Sequence, residues 1–211
     1  MIPSRIVFNE HAGDYDTWFD EHHSVYQAQQ WMLRGAVPDF QRGLEVGVGS
    51  GRFADPLGIH CGIDPAYKLA QMAKHRGVEV ALREAEHLPY RAGSFDFVLM
   101  MTVICFLEDI QRAFHEAHRV LEPNGTLVAE FIEAGGEIFQ KYRHEPIKGR
   151  FLRFATFRTI DEVYGFFNKA GFADISILQR VHGFCVMSGR KIERWLELCC
   201  QSKDPMIFWG F

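Results

Sequence analysis

The chain has 211 residues, 47% of them hydrophobic and 14% aromatic, with a formal net charge of −4. That length fills one well-packed domain but not two, and the acidic balance with scattered Lys and Arg argues against a nucleic-acid partner. No apolar run reaches the length of a membrane span, and Met1-Ile2-Pro3-Ser4-Arg5 leads into no signal-peptide core, so a cytoplasmic protein is the expectation.

In chain order, the aromatic segment Tyr15-Asp16-Thr17-Trp18-Phe19 belongs to an N-terminal helical region of about residues 8–36. Strands are predicted at 43–48, 60–64, 78–83, 95–101 and 126–132, nearly continuous apolar runs of the kind that burial on both faces of a parallel sheet demands. Helices are predicted at 66–76, 108–121 and 160–170. In the second, Ile110, Ala113, Phe114, Ala117, Val120 and Leu121 make one apolar face, and Pro123-Asn124-Gly125 stops it. In the third, Thr159 is the N-cap and Gly171 follows the last turn. Segments 174–179 and 184–188 read as an antiparallel hairpin around His182-Gly183. Between the fifth strand and the third helix, residues 135–158 form an irregular insertion rich in aromatic and basic side chains. The tail includes Ile207-Phe208-Trp209, apolar enough to dock on the domain or on a second copy as a homodimer contact. The five cysteines include no C-x-x-C pair, so neither a zinc site nor a redox motif is signalled, and Cys199-Cys200 read as partly exposed thiols.

The most informative stretch is Leu44-Glu45-Val46-Gly47-Val48-Gly49-Ser50-Gly51, followed by Gly62-Ile63-Asp64-Pro65. A buried strand, a glycine-rich turn and a second strand ending in a carboxylate put bare backbone beside a ligand and an acceptor where a ribose fits. The pattern is G-x-G-x-G. A dinucleotide fingerprint needs glycine one place later, where this chain has Arg52 at the position that packs helix on strand. An adenosyl ligand without phosphates suits the loop better, and S-adenosylmethionine is the candidate.

Taken together, residues 15–190 resemble the class I S-adenosylmethionine-dependent methyltransferases, specifically the small UbiE-like or type 11 group. The glycine loop is similar to the family's first motif and Gly62-Ile63-Asp64-Pro65 to its second. Glu84-Ala85-Glu86-His87-Leu88-Pro89 with the strand from Phe95 is similar to the adenine-binding motif and fourth strand. Arg119 to Gly125 resembles the junction of helix and fifth strand. The resemblance implies an α/β fold: a Rossmann-like seven-stranded, mostly parallel sheet with one antiparallel strand and helices on both faces, making a single methyltransferase domain over 1–211. It implies that Asp64 holds the ribose hydroxyls, that Glu84 and Ala85 meet the adenine amino group, and that Gly47, Gly49 and Gly51 line the methionine part. Glu45, a carboxylate in an apolar strand, is the acceptor for loop amides or, through water, for the ligand's ammonium. Tyr15 either reaches the ligand's carboxylate end or packs its helix on the sheet, and Thr102 stands beside the transferable methyl. One departure is plain: Arg52 to Gly58 leaves two helical turns at best, interrupted by Pro56, where the family has a full helix.

Methyl transfer demands no fixed catalytic side chain, and none is diagnostic here; the cofactor carries the reactive group. The chain lacks the Asp/Asn-Pro-Pro-Tyr/Phe motif of enzymes that methylate amino groups of nucleic acids, which points to a small-molecule acceptor. Phe139, Tyr142, Phe151, Phe154 and Phe157 supply apolar area around it. Lys141, Arg143, Lys148, Arg150, Arg153 and Arg158 supply positive charge, either for a negative group on the acceptor or as a solvated basic face. His87 and His144 are candidate bases, and the remaining histidines form no metal pattern. Two other readings stand beside the methyltransferase: a non-catalytic regulatory protein binding an adenosyl ligand, and a nicotinamide oxidoreductase, against which Arg52 and the terminal strand pair argue.

Overall fold

The computed structural model describes residues 4–144 and 149–192. Lys148, Cys199-Cys200 and the apolar tail expected to dock on the domain or on a second copy lie outside them. The chain opens with three helices, α1 (Ser4–Glu10), α2 (Ala12–Glu21) and α3 (His23–Arg34). There follow β1 (Gly43–Val46), α4 (Ala54–Leu57), β2 (Cys61–Ile63), α5 (Tyr67–His75), β3 (Glu79–Ala81), β4 (Phe95–Met101), α6 (Ile110–Val120) and β5 (Leu121–Ile132). The chain continues with α7 (Glu137–His144), α8 (Ile160–Ala170), β6 (Phe172–Val181) and β7 (Phe184–Lys191).

The seven strands form one sheet in the order β3-β2-β1-β4-β5-β7-β6. Only β7 runs against its neighbours, so the expected sheet with one antiparallel strand is present. Alternation along the strands feeds two cores. Leu44, Val46, Val98, Met100 and Leu127 pack under α6 and α8, whereas Phe97, Leu99, Met101 and Val128 pack under α3 and α5. Among the described residues no helix is long and apolar enough to cross a membrane.

Local chemistry accounts for the element ends. Thr159 and Glu162 form a reciprocal capping box at α8, and Gly171 ends it with φ +91°. Asp109 caps α6 by accepting the Arg112 N–H at 2.9 Å. The hairpin turn has His182 at φ +51° and Gly183 at φ +86°, with Val181 paired to Phe184, which is a two-residue type I′ turn. The hairpin strands run longer than the sequence alone indicates, and β5 starts at Leu121 rather than Thr126. Pro123-Asn124-Gly125 forms an irregularity inside that strand, with Asn124 at φ +66°, because Asn adopts the left-handed region readily. The segment after Gly51 is shorter still than expected: α4 is a single turn containing Pro56 and closed by Gly58 at φ +72°.

Because α4 covers so little, α5 carries that flank, and Gly51 is where it meets the loop. A Cβ there would lie 3.0 Å from Ala73 Cα, with φ already +84°. Gly51→Ala is therefore expected to lower stability by more than about 1 kcal/mol, since both conformation and packing oppose a side chain; urea unfolding measures it.

Candidate active site

Strand order reverses direction between β1 and β4: from β1 the chain proceeds outward to β2 and β3, then returns to place β4 on the other side. At such a switch point the loops leaving the two strands diverge and open a crevice at their carboxyl ends. Here the crevice is a cavity of about 1130 Å³, walled by the loop after β1, the segment after β4, and α1, α2 and α7.

The glycines act differently from one another. Gly47 leaves β1 with φ +74°, and a Cβ would lie 2.4 Å from Val103 Cγ2, so only glycine lets the two diverging loops sit together. Gly49 has φ +54°, and its would-be Cβ meets the Tyr15 hydroxyl at 3.1 Å. Gly47 and Gly49 line the cavity; Gly51 does not, because it is given over to the contact with α5.

Asp64, at the end of β2, accepts the Gly49 N–H at 2.9 Å through Oδ2 and the Ala66 N–H at 2.8 Å through Oδ1. One carboxylate thus shapes the loop and the turn into α5 while lining the cavity. Burial pushes its pKa up to about 6, against the pull of the two amides. Glu45 lies behind this wall, 1% exposed. Burial, then the Asp64 charge, hold it well above the carboxylate range, with the Ala54 amide acting the other way. Its Oε2 has no hydrogen-bond partner among the described residues. Tyr15 on α2 closes the opposite side; burial, then Asp64 and Glu45, push its phenol up, so it stays a neutral donor. Its ring also meets Phe8, Phe19 and Phe151 edge-on, so Tyr15 packs its helix through aromatic contacts while it lines the cavity.

Glu84, Ala85 and Thr102 line the cavity as well. Glu84 accepts from Arg5 Nη1 at 2.6 Å across the rim, and Ala85 is buried in the core beneath. Of the candidate bases, His87 is on the wall and His144 is not among its residues. The insertion contributes Ile138, Lys141, Tyr142, Arg150, Phe151 and Leu152. Its cations are largely engaged: Arg150 pairs with Asp14 and approaches His11 Nδ1 at 3.2 Å, and Arg153 stacks over Phe154 at 4.7 Å.

Two arrangements escape sequence reasoning. Arg52, read only as a break in a fingerprint, clamps α2 to the glycine loop. Its Nε and Nη2 donate to Asp16 at 2.9 and 3.0 Å, its Nη1 donates to Asp20 at 2.7 Å, and Arg76 Nη2 joins on Asp16 at 2.9 Å. Burial works against the Asp16 charge, but the two guanidiniums win and hold its carboxyl far below the usual range. The second is a hydrogen-bonded trio in which Gln29 and Thr102 line the cavity and Glu130 is buried behind them. Glu130 interrupts the apolar run Leu127-Val128-Ala129-Glu130-Phe131-Ile132, the same signal that singles out Glu45.

Comparison with known proteins gives a consistent picture. Residues 44–129 match the family model described as a methyltransferase domain. An uncharacterized protein of Methanocaldococcus jannaschii is 35% identical over 83% of this chain and 85% of its own length. A malonyl-[acyl-carrier protein] O-methyltransferase of Geobacter sulfurreducens is 33% identical over 82% of this chain and 71% of its own. The crystal structure of a Thermotoga maritima S-adenosylmethionine-dependent methyltransferase, described as a possible histamine N-methyltransferase, superposes with a TM-score of 0.82. It is 32% identical and covers 88% of this chain and 98% of that one.

The Arg52 clamp holds α2 over the cavity through one half-buried partner, Asp16, and one exposed partner, Asp20, so its loss is local. Arg52→Ala is expected to make Ala12–Glu21 open several times more often, the modest effect of ion pairs that solvent partly screens. Native-state hydrogen exchange should show faster exchange there and unchanged protection in β4 and β5.

Proposed function

The chain belongs to the class I S-adenosylmethionine-dependent methyltransferases, in the UbiE-like type 11 group, and from that premise we propose that it methylates a small molecule bound in the same cavity. The carrying observation is the cavity volume of about 1130 Å³, beyond the roughly 300–1,000 Å³ of a single-ligand pocket and so sufficient for cofactor and acceptor together.

S-adenosylmethionine is the cofactor, and the residues at the switch point suit it. Bound there, it supplies a methyl group activated by a positively charged sulfur. Asp64 presents a carboxylate to the ribose hydroxyls. Gly47 and Gly49 offer backbone that a side chain would cover, and Glu45, buried behind the wall, reaches the ligand's ammonium only through water. Ala85 and Glu84, both on the cavity wall, suit the adenine. The acceptor is left the opposite side, where Ile132, Phe184, Leu152 and Tyr142 exclude water and hold it for attack. The names of the relatives range from a malonyl-[acyl-carrier protein] O-methyltransferase to a possible histamine N-methyltransferase, so the acceptor has to come from this cavity's own chemistry.

A nicotinamide cofactor fits less well, since Arg52 is built into the α2 clamp where the fingerprint needs glycine. A purely regulatory adenosyl-binding role is separated by turnover alone.

Calorimetric titration is expected to show S-adenosylmethionine and S-adenosylhomocysteine binding, with no heat from NAD. Asp64→Ala should weaken both at least tenfold, the value of a charge-assisted hydrogen bond. The pH dependence has a definite sign: the carboxylate is the binding form, so affinity is full above pH 6 and falls as Asp64 protonates below about 6. Tight NAD binding with no adenosyl binding would overturn the reading.

A further inference from the structure

Glu130 lies in the middle of β5, 0% exposed, on the sheet face that packs under α3 with Val128 and Ile132. Both its oxygens have partners. Gln29 Nε2 donates to Oε1 at 3.3 Å, and Thr102 Oγ1 donates to Oε2 at 2.6 Å. The Thr102 N–H donates to the Glu130 carbonyl at 3.0 Å. Gln29 and Thr102 both face the cavity, while Glu130 stands behind them.

Thr102 itself is in the left-handed region at φ +49°, a conformation that β-branched residues rarely adopt. That conformation swings the hydroxyl onto Glu130 directly after β4, at the switch point. The other titratable groups in reach are neutral. The Cys105 thiol donates to the Thr102 carbonyl at 3.3 Å, and burial raises it; Cys185 on β7 is raised to about 12 by burial. No cation among the described residues pairs with Glu130, and burial raises its pKa to about 7 against the donors Thr102 and Gln29. Both of its protonation states are therefore accessible near neutrality.

The cavity rim says what kind of proton donor to expect. Seven carboxylate side chains line it against four Lys and Arg, and two of those four, Arg5 and Arg150, are paired with Glu84 and Asp14. That field favours a cationic acceptor over an anionic one. A carboxylate acceptor arrives already deprotonated and has no use for a base; an ammonium cannot attack until it has lost a proton.

Resting on the methyltransferase reading, we propose that the acceptor is an amine and that Thr102 and Glu130 relay its proton out of the cavity. The acceptor enters as an ammonium. One N–H bond breaks with its electron pair left on nitrogen, and the proton passes to Thr102 Oγ1. The hydroxyl's own proton passes along the 2.6 Å bond to Glu130 Oε2, which becomes the neutral acid. The nitrogen lone pair is then free to take the methyl group. Glu130 returns its proton to solvent when the product leaves.

The test uses a panel of histamine, ethanolamine and phenethylamine beside malonate and phenylacetate, with S-adenosylmethionine and the full chain. Amines but not carboxylates are expected to turn over, with kcat falling below about pH 7. Glu130→Gln and Thr102→Val should each lower kcat at least about a hundredfold with little change in KM, the usual value of a positioned base, and Thr102→Ser should restore most of it. Glu130→Gln removes a buried charge without changing shape and should bind S-adenosylhomocysteine as the parent does, which shows that it folds. An infrared carboxyl band titrating near neutral pH in the parent should be missing from Glu130→Gln. Wild-type kcat in Glu130→Gln, methylation of the carboxylates alone, or adenosyl binding without turnover of any amine would overturn the proposal. Failure of the parent chain to bind S-adenosylhomocysteine would instead strike the methyltransferase reading beneath it.

Discussion

A single buried carboxylate, Asp64, decides how the two halves of the cofactor end relate. Its two oxygens take the amides of Gly49, in the loop after β1, and of Ala66, at the head of α5. Those groups are far apart in sequence, and without a shared acceptor both would be donors pointed into a crevice. The loop's other constraints assemble around this one. Gly47 admits Val103, Gly51 admits Ala73, and Gly62 admits Val48, so three close approaches lock the loop against β4, α5 and β2. The geometry is stiff because each approach is steric, and a preorganised site loses little entropy on binding.

The same compactness concentrates negative charge. Asp64, Glu45 and Glu130 are all buried, and burial leads the forces raising all three. An acid whose folded pKa lies above its unfolded value stabilises the fold at low pH, and the contribution is lost as pH rises through the folded pKa. For Asp64 and Glu130 that window is about pH 4 to 7, so near neutrality the fold carries electrostatic strain at its centre. S-adenosylmethionine, held at the switch point, would bring a positive charge to these carboxylates and offset that strain.

Much of this was legible in the sequence because it rests on local rules. The five parallel strands, the Thr159 cap, the His182-Gly183 turn and the glycine loop follow from apolar runs, capping chemistry and positive φ, all short-range. Asp64 could be placed because a strand end and a following Pro65 fix where its side chain stands. What escaped is what joins distant segments. Nothing near Arg52 announces Asp16 and Asp20, more than thirty positions upstream, and nothing near Thr102 announces Glu130. Gly51 misled for the opposite reason: its pattern matches ligand-facing glycines, but the shortness of α4 puts α5 where a Cβ would be.

That shortness also explains why Arg52 stands where a fuller helix would want glycine. With only one turn in α4, no long helix needs to settle on β1 at that point, so the position is open to a large side chain. A guanidinium there reaches α2, and Arg76 at the end of α5 reaches the same Asp16. The missing helix is thus replaced by charge: the N-terminal helices, held by two arginines and the Tyr26 hydroxyl on the Arg52 carbonyl at 2.6 Å, cover the loop from the other side. Ion pairs centred on the half-buried Asp16 help to keep α2 in place and, unlike a packed helix, break in one step. The cover over the cavity is therefore fastened at the one loop that also meets the cofactor, so that loop geometry and access to the site are set by the same few residues.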